Sequence, residues 1–352
     1  MALEIDGRFG EGGGQVLRTA LSLAALLQGP LRMKNIRGGR RKQGLRPQHL
    51  MAVKALALLA SAHVEGAELG STDLYFEPGR LKGGTYTFHV GTAGSTSLVL
   101  QTLLPALFFA DVPSRVTVTG GTHVPWSPCF HYLKDVFAPA VREMGGVLSL
   151  EIGNWGWYPK GGGELVASVS PIAGFHGMKR IQRGRLEEPR VLSAVSNLPM
   201  SIAKRQRDQA LRGLQAEGHS GARIELVQAP SLGAGTLVFI EARFERGVAG
   251  FSSLGKRGKR AEKVADEACS AFAEFMGAQS AVDHHLADQL VLYMALAHGR
   301  SSFAVGRVTR HLLTNIGVIE QFLPVKFQVE KEPGRVDVEG AGFSVSAPFP
   351  RS

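Results

Sequence analysis

The sequence has little of several features that mark particular classes of protein. Only two cysteines, Cys129 and Cys269, occur in 352 residues. They stand far apart in unlike contexts, so neither a disulfide framework nor a thiolate metal site is indicated, and we interpret both as core thiols. The longest apolar stretch, 98–110, is interrupted by Gln101 and Pro105. It is shorter than the roughly 20 residues that span a bilayer, so no membrane contact is expected.

Other familiar signatures are also missing. The N-terminal Met-Ala-Leu-Glu-Ile-Asp carries acidic side chains, not the basic and then apolar order of a signal peptide, so a cytoplasmic location is expected. The loop GEGGGQ (10–15) lacks the Lys-Ser/Thr of a Walker loop and misses the GxGxxG spacing, which favours a tight strand-to-helix turn. His284 and Asp288 lie one helical turn apart without a third ligand, and no HExxH occurs. No fixed metal site is therefore predicted, and a carboxylate here would instead serve Mg²⁺ held with substrate phosphates.

Positive charge is abundant. The net charge of +10 and the pI near 9.8 suit a polyanionic partner, although charge alone is a weak signal. Basic residues crowd the segment RGGRRKQGLRPQH (37–49). Arginine offers forked donors to phosphate, and glycine lets the backbone approach a ligand. A phosphate-rich ligand and a solvated basic loop are equally compatible with this stretch alone.

The chain contains a repeated unit. Residues 10–39 and 91–121 share the order glycine-rich loop, helix, turn, strand and Gly-Gly, and a more diverged copy lies at 283–306. A second helix follows each copy, over residues 46–62, 127–145 and 311–323. Alternating strands come after these helices. The pattern predicts an α/β fold in which three βαβαββ units form a large domain.

One block breaks the period. Residues 182–278 have their own order of strand, helix, two strands and helix, which predicts a smaller inserted α/β domain between the second and third units. The charged faces of its helices are expected to meet solvent. The predicted organisation is therefore 1–181 with the first two repeats, 182–278 as the insert, and 279–352 with the third repeat.

Several polar residues interrupt apolar helices at informative positions. Arg18, Gln101 and Gln289 fall at matching early positions of the repeated helices, where they either cap buried backbone or converge on one site. In VTRHLLTN (308–315), His311 lies at a predicted helix start, where the helix dipole disfavours the imidazolium. A hydrogen-bonded core or capping histidine remains the alternative for this residue.

Taken together, several motifs resemble those of the RNA 3′-terminal phosphate cyclases. They are GEGGGQVLR, GLRPQHLMAVKA, GTAGSTSLVLQTLLPAL, VTGGTHVPWSP, GWYPKGGGELV, HLADQ and HLLTNIGVIEQFLP. The resemblance extends from about residue 5 to 345. That family has a large domain of three βαβαββ units, like the C-terminal domain of a translation initiation factor, plus a small inserted domain. The repeat pattern described above agrees with this architecture.

The resemblance implies an activity, that of a ligase. ATP would drive conversion of an RNA 3′-terminal phosphate to a 2′,3′-cyclic phosphodiester through a histidine–AMP intermediate and an RNA 3′-adenylate, with release of pyrophosphate and AMP. The implied requirements are ATP, Mg²⁺ or Mn²⁺, and RNA with a 3′-terminal phosphate as partner. The oligomeric state is left open, with a homodimer as one option.

The same resemblance assigns residues. It makes His311 the residue that accepts AMP. Positions matching the ATP site are Glu11, Gln101, Pro128, His285, Leu286, Ala287, Asp288 and Gln289. Positions matching contacts to RNA phosphates are Arg18, Arg37, Arg40, Gln48 and His49. Phe251 is a weaker candidate for a shelf under adenine.

One departure and two alternatives accompany the resemblance. The family usually has Arg or His before the glycine of GWYP, and this chain has Trp155. Enolpyruvyl transferases are built from similar units and also bind phosphorylated anions through Arg and Lys. Non-catalytic RNA-binding relatives that act in ribosome assembly lack the nucleophilic histidine, so the presence of His311 argues against that class.

Overall fold

The computed structural model describes residues 1–278 and 280–344, and its N-terminal part is a βαβαββ unit. The elements are β1 (Leu3–Asp6), α1 (Gly14–Leu27), β2 (Leu31–Lys34), α2 (Pro47–Leu59), β3 (His63–Glu65) and β4 (Leu74–Glu77). Its sheet has the order β1-β2-β4-β3, with β1 and β2 parallel. In β2, Leu31 and Met33 are buried while Arg32 and Lys34 are exposed, so period-two alternation gives the sheet one apolar face for the helices.

The second unit repeats this arrangement. Its elements are β5 (Thr85–His89), α3 (Thr96–Leu107), β6 (Ser114–Gly120), α4 (Phe130–Tyr132), a π-helical turn (Leu133–Phe137), α5 (Ala138–Glu143), β7 (Val147–Ile152) and β8 (Gly163–Ser170). The sheet order is β5-β6-β8-β7. The side chain of Ser95 begins α3 by accepting a hydrogen bond from the backbone N–H of Leu98, which satisfies one of the free donors of the first turn.

The small inserted domain follows the short strand β9 (Lys179–Arg180). Its elements are β10 (Arg190–Ser196), α6 (Met200–Ala216), β11 (Arg223–Gln228), β12 (Gly235–Phe244), β13 (Gly247–Leu254) and α7 (Ala261–Gly277). They form a separate four-stranded sheet of order β11-β10-β12-β13 with its own apolar core against α6 and α7.

The third unit contains β9 together with the elements that follow the insert. These are α8 (His284–Leu296), β14 (Arg300–Ala304), α9 (Arg310–Phe322), β15 (Phe327–Glu330) and β16 (Arg335–Glu339). The order β9-β14-β16-β15 matches the other two sheets, so the α/β fold of three βαβαββ units with a small insert is confirmed.

The position of the insert differs in one respect from the sequence-based expectation. Because β9 pairs in parallel with β14, the insert interrupts the third unit after its first strand and does not lie between two whole units. A two-residue strand has too little periodicity to be recognised in a sequence. Gln279 and residues 345–352 of the expected third segment lie outside the described residues.

The helices that begin each unit form the centre of the large domain. Helix α1 packs against α3 on one side and α9 on another, and α8 packs against α9. The side chains that face one another are small or aliphatic, as with the fully buried Ala20, Leu21 and Ala24 of α1. Cys129 and Cys269 are buried free thiols. Among the described residues, no helix has the length and apolar character required to cross a membrane.

Arg183 connects the two chain segments that link the large domain to the insert. Its guanidinium donates to the carbonyl oxygens of Phe275, Met276, Ala278 and Ser280, at distances of 2.8 to 3.0 Å. It also lies 4.8 Å from the ring centroid of Phe275. One cation therefore satisfies the carbonyls at the end of α7 and fixes the segment that leaves the insert to the segment that enters it.

Replacement of Arg183 should destabilise the protein. Arg183→Ala leaves several partly buried carbonyls without a donor, so we expect the free energy of unfolding to fall by about 2–4 kcal/mol. Arg185→Ala is a matched control, since the Arg185 side chain is 87% exposed and reaches Glu245 only at 3.4 Å; its effect should be within about 0.5 kcal/mol. Denaturant titration of both variants measures the difference, and equal losses would contradict this role.

Candidate active site

The helices α1, α3, α8 and α9 each carry a polar side chain at their sixth residue, and these side chains pair across the domain. Thr19 donates from Oγ1 to Oδ1 of Asn315 over 2.6 Å, and Gln101 donates from Nε2 to Oε1 of Gln289. Together with Arg18 and Asp288 they line a cavity of about 60 Å³. The structure therefore brings Arg18, Gln101 and Gln289 to one site, although Thr19 and not Arg18 holds the position in α1 that matches the two glutamines.

His311 lies at the edge of this region, in the first turn of α9. Thr309 begins the helix, because its side chain accepts from the backbone N–H of Leu312 at 3.0 Å. The Nε2 atom of His311 lies 2.9 Å from a carboxylate oxygen of Glu11, and the same oxygen lies 3.2 Å from Arg40. The His311 side chain is 42% exposed. The accessible imidazole of His311 therefore lies beside the Glu11 carboxylate, which Arg40 also contacts.

The glycine-rich loop places Glu11. Gly10 has φ +60°, and a Cβ added there would lie 2.1 Å from Oγ1 of Thr314. The backbone N–H of Glu11 donates to that hydroxyl at 3.1 Å, and Arg310 donates to the carbonyl of Gly10 at 2.6 Å. Residues 10–15 therefore form a tight turn from strand to helix, docked on the first turn of α9. Glycine is required because the left-handed backbone and the close contact both exclude a side chain.

The surroundings favour a neutral imidazole at His311. Its pKa is held below the usual value by burial and by the cations Arg18 and Arg40, while the Glu11 carboxylate acts in the opposite direction. The helix dipole is the only cause that the sequence offers. In the structure, burial and the two arginines lower the pKa of His311 despite the opposing charge of Glu11.

Asp288 is held at the same helix junction. Thr309 donates from Oγ1 to Oδ1 of Asp288 at 3.0 Å. Burial, together with the nearby carboxylates of Glu11 and Asp283, raises the pKa of this carboxyl to about 7 against the hydrogen bond from Thr309. A carboxyl so arranged is poised between its two protonation states near neutral pH, which is characteristic of functional sites.

Arg18 and His49 form an electropositive pocket behind Gly14. A Cβ on Gly14 would lie 2.4 Å from Nε2 of His49 and 2.9 Å from Nη1 of Arg18, so these two side chains are adjacent. Burial lowers the pKa of His49 to about 3, helped by Arg18, Arg37 and Arg46, so its ring is neutral. Burial and Arg37 lower the pKa of Arg18 to about 10, and Arg18 therefore stays positive at neutral pH.

Arg18 has no anionic partner within residues 1–278 and 280–344. Its guanidinium donates to the neutral side chain of Gln15 at 2.9 Å and takes part in no ion pair there. A buried cation without a counter-charge is costly, and an anionic group bound beside it would remove that cost. The pocket is suited to a phosphate.

Arg37 and Gln48 support the walls of this pocket. Arg37 has φ +55° and donates to the carbonyl oxygens of Lys42 and Gly44, so it holds its own loop closed. The side-chain oxygen of Gln48 accepts from the backbone N–H of Ser95 at 2.8 Å, at the start of α3. Both side chains thus make bonds to the protein and do not point freely into the cavity.

The remaining sequence-predicted positions have different environments. Leu286 and Ala287 are fully buried, so their side chains belong to the core. His285 is exposed, with its ring 6.2 Å from that of Tyr132, and Pro128 is half-buried before α4. His285 lies near enough to His311 for its charge to help lower the pKa of that imidazole.

Two aromatic residues also depart from the expectations. Phe251 is 6% exposed and packs edge-on against Phe272 within the core of the insert. It offers no exposed ring, so the expectation that it forms a shelf under adenine is wrong. Trp155 is buried and stacks on His123 with centroids 4.1 Å apart.

Sequence reasoning missed residues that hold the site together. Thr309 and Asp283 are cap residues directly before apolar helices, a signal that could have identified them. Tyr132 donates to the buried carboxylate of Asp283 at 2.7 Å. The partners Thr314 and Asn315 follow only from tertiary packing. No group of three or more His, Cys, Asp or Glu residues able to hold a metal occurs within the described part of the chain.

Comparison with known proteins identifies the family. A family model described as RNA 3′-terminal phosphate cyclase matches residues 9–329. The chain belongs to this family. A protein of that name from Pyrobaculum neutrophilum is 44% identical over 347 residues, covering 97% of this chain and 100% of the relative. Proteins of the same name from Methylococcus capsulatus and Nostoc punctiforme are 46% and 41% identical and cover 91% and 96% of this chain, and 91% and 99% of their own. The chain is therefore an enzyme.

Asp288 should make stability depend on pH. Its pKa of about 7 in the folded protein lies above the 3.8 of the unfolded chain, so the native state binds the proton more tightly. The contribution of the protonated Asp288 carboxyl to the free energy of unfolding is fully present below about pH 4. It is lost as the pH rises to about 7. Over that window the wild type should lose as much as about 4 kcal/mol relative to Asp288→Asn. Denaturation of both proteins from pH 4 to pH 8, with chelator present, measures this, and a constant difference would contradict it.

Proposed function

We propose that this chain converts an RNA 3′-terminal phosphate to a 2′,3′-cyclic phosphodiester at the expense of ATP. The observation that carries the proposal is the half-exposed imidazole of His311 beside Glu11, at the edge of a cavity containing the unneutralised Arg18. The family and the names of the relatives support the substrate class. The partner is accordingly RNA with a 3′-terminal phosphate.

Activation of the phosphate explains the need for a nucleophile. A 2′-OH that attacked a terminal phosphate monoester would have to expel oxide or hydroxide, which is a poor leaving group. In the proposed sequence, His311 attacks the α-phosphorus of ATP and pyrophosphate leaves. AMP then passes from histidine to the RNA 3′-phosphate. The 2′-OH closes the ring by attack on that phosphorus, and AMP departs.

The environment of His311 fits the first step. A neutral imidazole has the lone pair that attack requires, and its pKa lies below the usual value. Formation of the P–N bond places positive charge on the ring, which the Glu11 carboxylate at 2.9 Å stabilises. Arg40, which contacts the same carboxylate, is positioned to meet a phosphate that approaches the imidazole.

The cavity fits the phosphate groups. Arg18 supplies a buried positive charge, and the amides of Gln101 and Gln289 supply donors already held in place. Preorganised groups stabilise developing charge without reorganising during the reaction. Ring closure gains further from proximity, because the 2′-OH and the phosphorus belong to one ribose.

A divalent cation, Mg²⁺ or Mn²⁺, would be held mainly by the ATP phosphates and would neutralise their charge. Asp288 is the side chain that suits it, because burial and nearby carboxylates raise the pKa of Asp288 and a cation would relieve both effects. The alternatives fit less well. Neither an enolpyruvyl transferase nor a non-catalytic RNA-binding relative requires an accessible histidine held against a carboxylate.

His311→Ala should abolish uptake of label from α-labelled ATP. In the wild type the linkage should be labile to acid and hydroxylamine and stable to alkali, as expected of a P–N bond. The variant should also fail to cyclise RNA 3′-phosphate. It should still cyclise RNA that already carries a 3′-adenylate, because ring closure depends on the rest of the site.

His63→Ala provides a matched control. His63 forms a similar pair with Glu65, at 3.2 Å, on the exposed strand β3, and its loss should leave labelling unchanged. If His311→Ala still acquires acid-labile and alkali-stable label, another histidine is the nucleophile and the assignment is wrong.

The pH profile of self-adenylation should respond to the two charged neighbours of His311 in opposite directions. Glu11→Gln removes the anion that raises the pKa of His311, so the acid limb should move to lower pH. Arg40→Ala removes a cation, so the acid limb should move up. The midpoint of the acid limb is measured, since the maximal rate also changes when either residue is lost. Shifts in the same direction would show that another group controls the limb.

A further inference from the structure

Three large apolar side chains are strongly exposed on neighbouring loops. Trp126, Tyr158 and Leu232 are 97%, 70% and 67% exposed. Single exposed apolar residues are common on protein surfaces. Here each residue lies at the tip of a separate loop, and the three loops contact one another, which makes the group informative.

The loop of Trp126 contacts the loop of Tyr158. The backbone N–H groups of Thr122 and His123 both donate to the carbonyl oxygen of Gly156 at 3.0 Å. The two loops therefore leave the second sheet side by side.

The loop of Tyr158 in turn contacts that of Leu232, which belongs to the insert. Trp155 donates from its backbone N–H to the carbonyl oxygen of Pro230 at 2.8 Å. A Cβ on Gly162 would lie 2.6 Å from Cδ1 of Leu232. The exposed side chains thus form one surface across the junction of the two domains. We call Trp126, Tyr158 and Leu232 the aromatic platform.

The platform has a rigid base and one strained residue. Beneath it, the buried ring of Trp155 stacks on His123, and a Cβ on Gly235 would lie 2.1 Å from the ring of Trp157. Trp126 has φ +60°, a conformation that is unfavourable for a bulky side chain and clusters at ligand sites. The side chain it presents is almost fully exposed, so packing within the described protein does not explain the conformation.

Packed loops connect the platform to the pocket of Arg18 and His49. A Cβ on Gly161 would lie 2.8 Å from the carbonyl oxygen of Thr92. Two residues further on, a Cβ on Gly94 would lie 3.1 Å from Cβ of Gln48, which holds the start of α3. The loop of Tyr158 and the helix that carries Gln48 and His49 are therefore linked through residues 92–94, next to the phosphate pocket.

Cations border the platform. Lys160 is exposed and lies beside it, because a Cβ on Gly233 would be 3.4 Å from Cβ of Lys160. Lys256 and Arg257 are exposed in the loop after β13, which begins where Gly255 donates to the carbonyl oxygen of Thr236. None of these three cations forms an ion pair within residues 1–278 and 280–344.

We propose that the aromatic platform and these cations bind the nucleotides that precede the 3′ end of the RNA. Bases would stack on Trp126 and Tyr158, and the backbone phosphates would meet Lys160, Lys256 and Arg257. Every base has a π-face, so stacking binds single strands without reading sequence, and cations follow the backbone. The proposal rests on the proposed function for its substrate class.

Binding of an RNA that cannot react tests the platform directly. The probe is a labelled dodecamer with a 3′-OH, measured by fluorescence anisotropy at fixed salt. Trp126→Ala and Tyr158→Ala should each weaken its binding about tenfold, while Trp126→Tyr and Tyr158→Trp should retain most of it. Leu58→Ala, at a site 59% exposed on α2, is the matched control and should bind like the wild type.

Kinetics with reactive RNA give a second readout. The alanine variants should lose about tenfold in kcat/KM for a dodecamer 3′-phosphate, lose little for a trinucleotide 3′-phosphate, and keep normal self-adenylation. Lys256→Ala with Arg257→Ala should reduce the slope of log affinity against log salt by about one per lost contact.

Several outcomes would overturn the proposal. These are unchanged dodecamer affinity, equal losses with short and long RNA, loss of self-adenylation, or a change in sedimentation showing that the surface joins two copies of the chain. The test is separate from that of the proposed function. If the wild type takes up no AMP label but binds the 3′-OH dodecamer through Trp126 and Tyr158, the proposed cyclase activity is wrong and the platform proposal stands. If the wild type is labelled but its RNA binding does not depend on Trp126 and Tyr158, the platform proposal is wrong and the cyclase activity stands.

Discussion

The contact between Glu11 and His311 requires two segments that are distant in the sequence to pack closely against each other. Glu11 belongs to the turn that begins α1, and His311 belongs to the first turn of α9, and they are joined at 2.9 Å. Thr314 makes the meeting possible by accepting from the backbone of Glu11, at a place where only glycine fits at residue 10. The packing of α1 on α9 is thus what gives the imidazole its carboxylate, and the surrounding helices serve chiefly to hold these two turns in place.

The cavity beside this contact contains charges that the protein itself does not balance. In the described part of the chain Arg18 is partly buried without a counter-ion, while burial and nearby carboxylates raise the pKa of Asp288. Each arrangement costs stability in the isolated protein, and each is relieved by a ligand of opposite charge. A phosphate would neutralise the first and a cation the second. This pairing of charges supports our proposal that the site binds a metal-bound triphosphate, since a general basic surface would offer only one sign of charge.

Much of the fold and part of the candidate site could be predicted from the sequence. The predictions that were wrong have physical explanations. The repeats predicted the three units. For Arg18, Gln101 and Gln289 the sequence left open a capping role or convergence on one site, and the structure places all three around one cavity because equivalent helices pack around a common centre. The two-residue strand β9 could not be found, and so Lys179 and Arg180 were assigned to the first two repeats although they pair with the third unit. Phe251 matched by position, yet its ring faces the core of the insert, because the direction of a side chain from a strand depends on register, which a position match does not fix.

The repeats also show that environment, rather than position, decides which residue is accessible. Gln48, His131 and His311 each occupy the second residue of the second helix of a unit. Gln48 is bound to the start of α3, and His131 is buried, with its pKa lowered to about 3 by burial and by Arg190 and Lys134. Only His311 among these three combines exposure with a carboxylate neighbour. Because the backbone geometry is common to the three units, the difference arises from what packs against each helix start: a glycine turn bearing an acid at α9, and a closed aromatic cluster at α4.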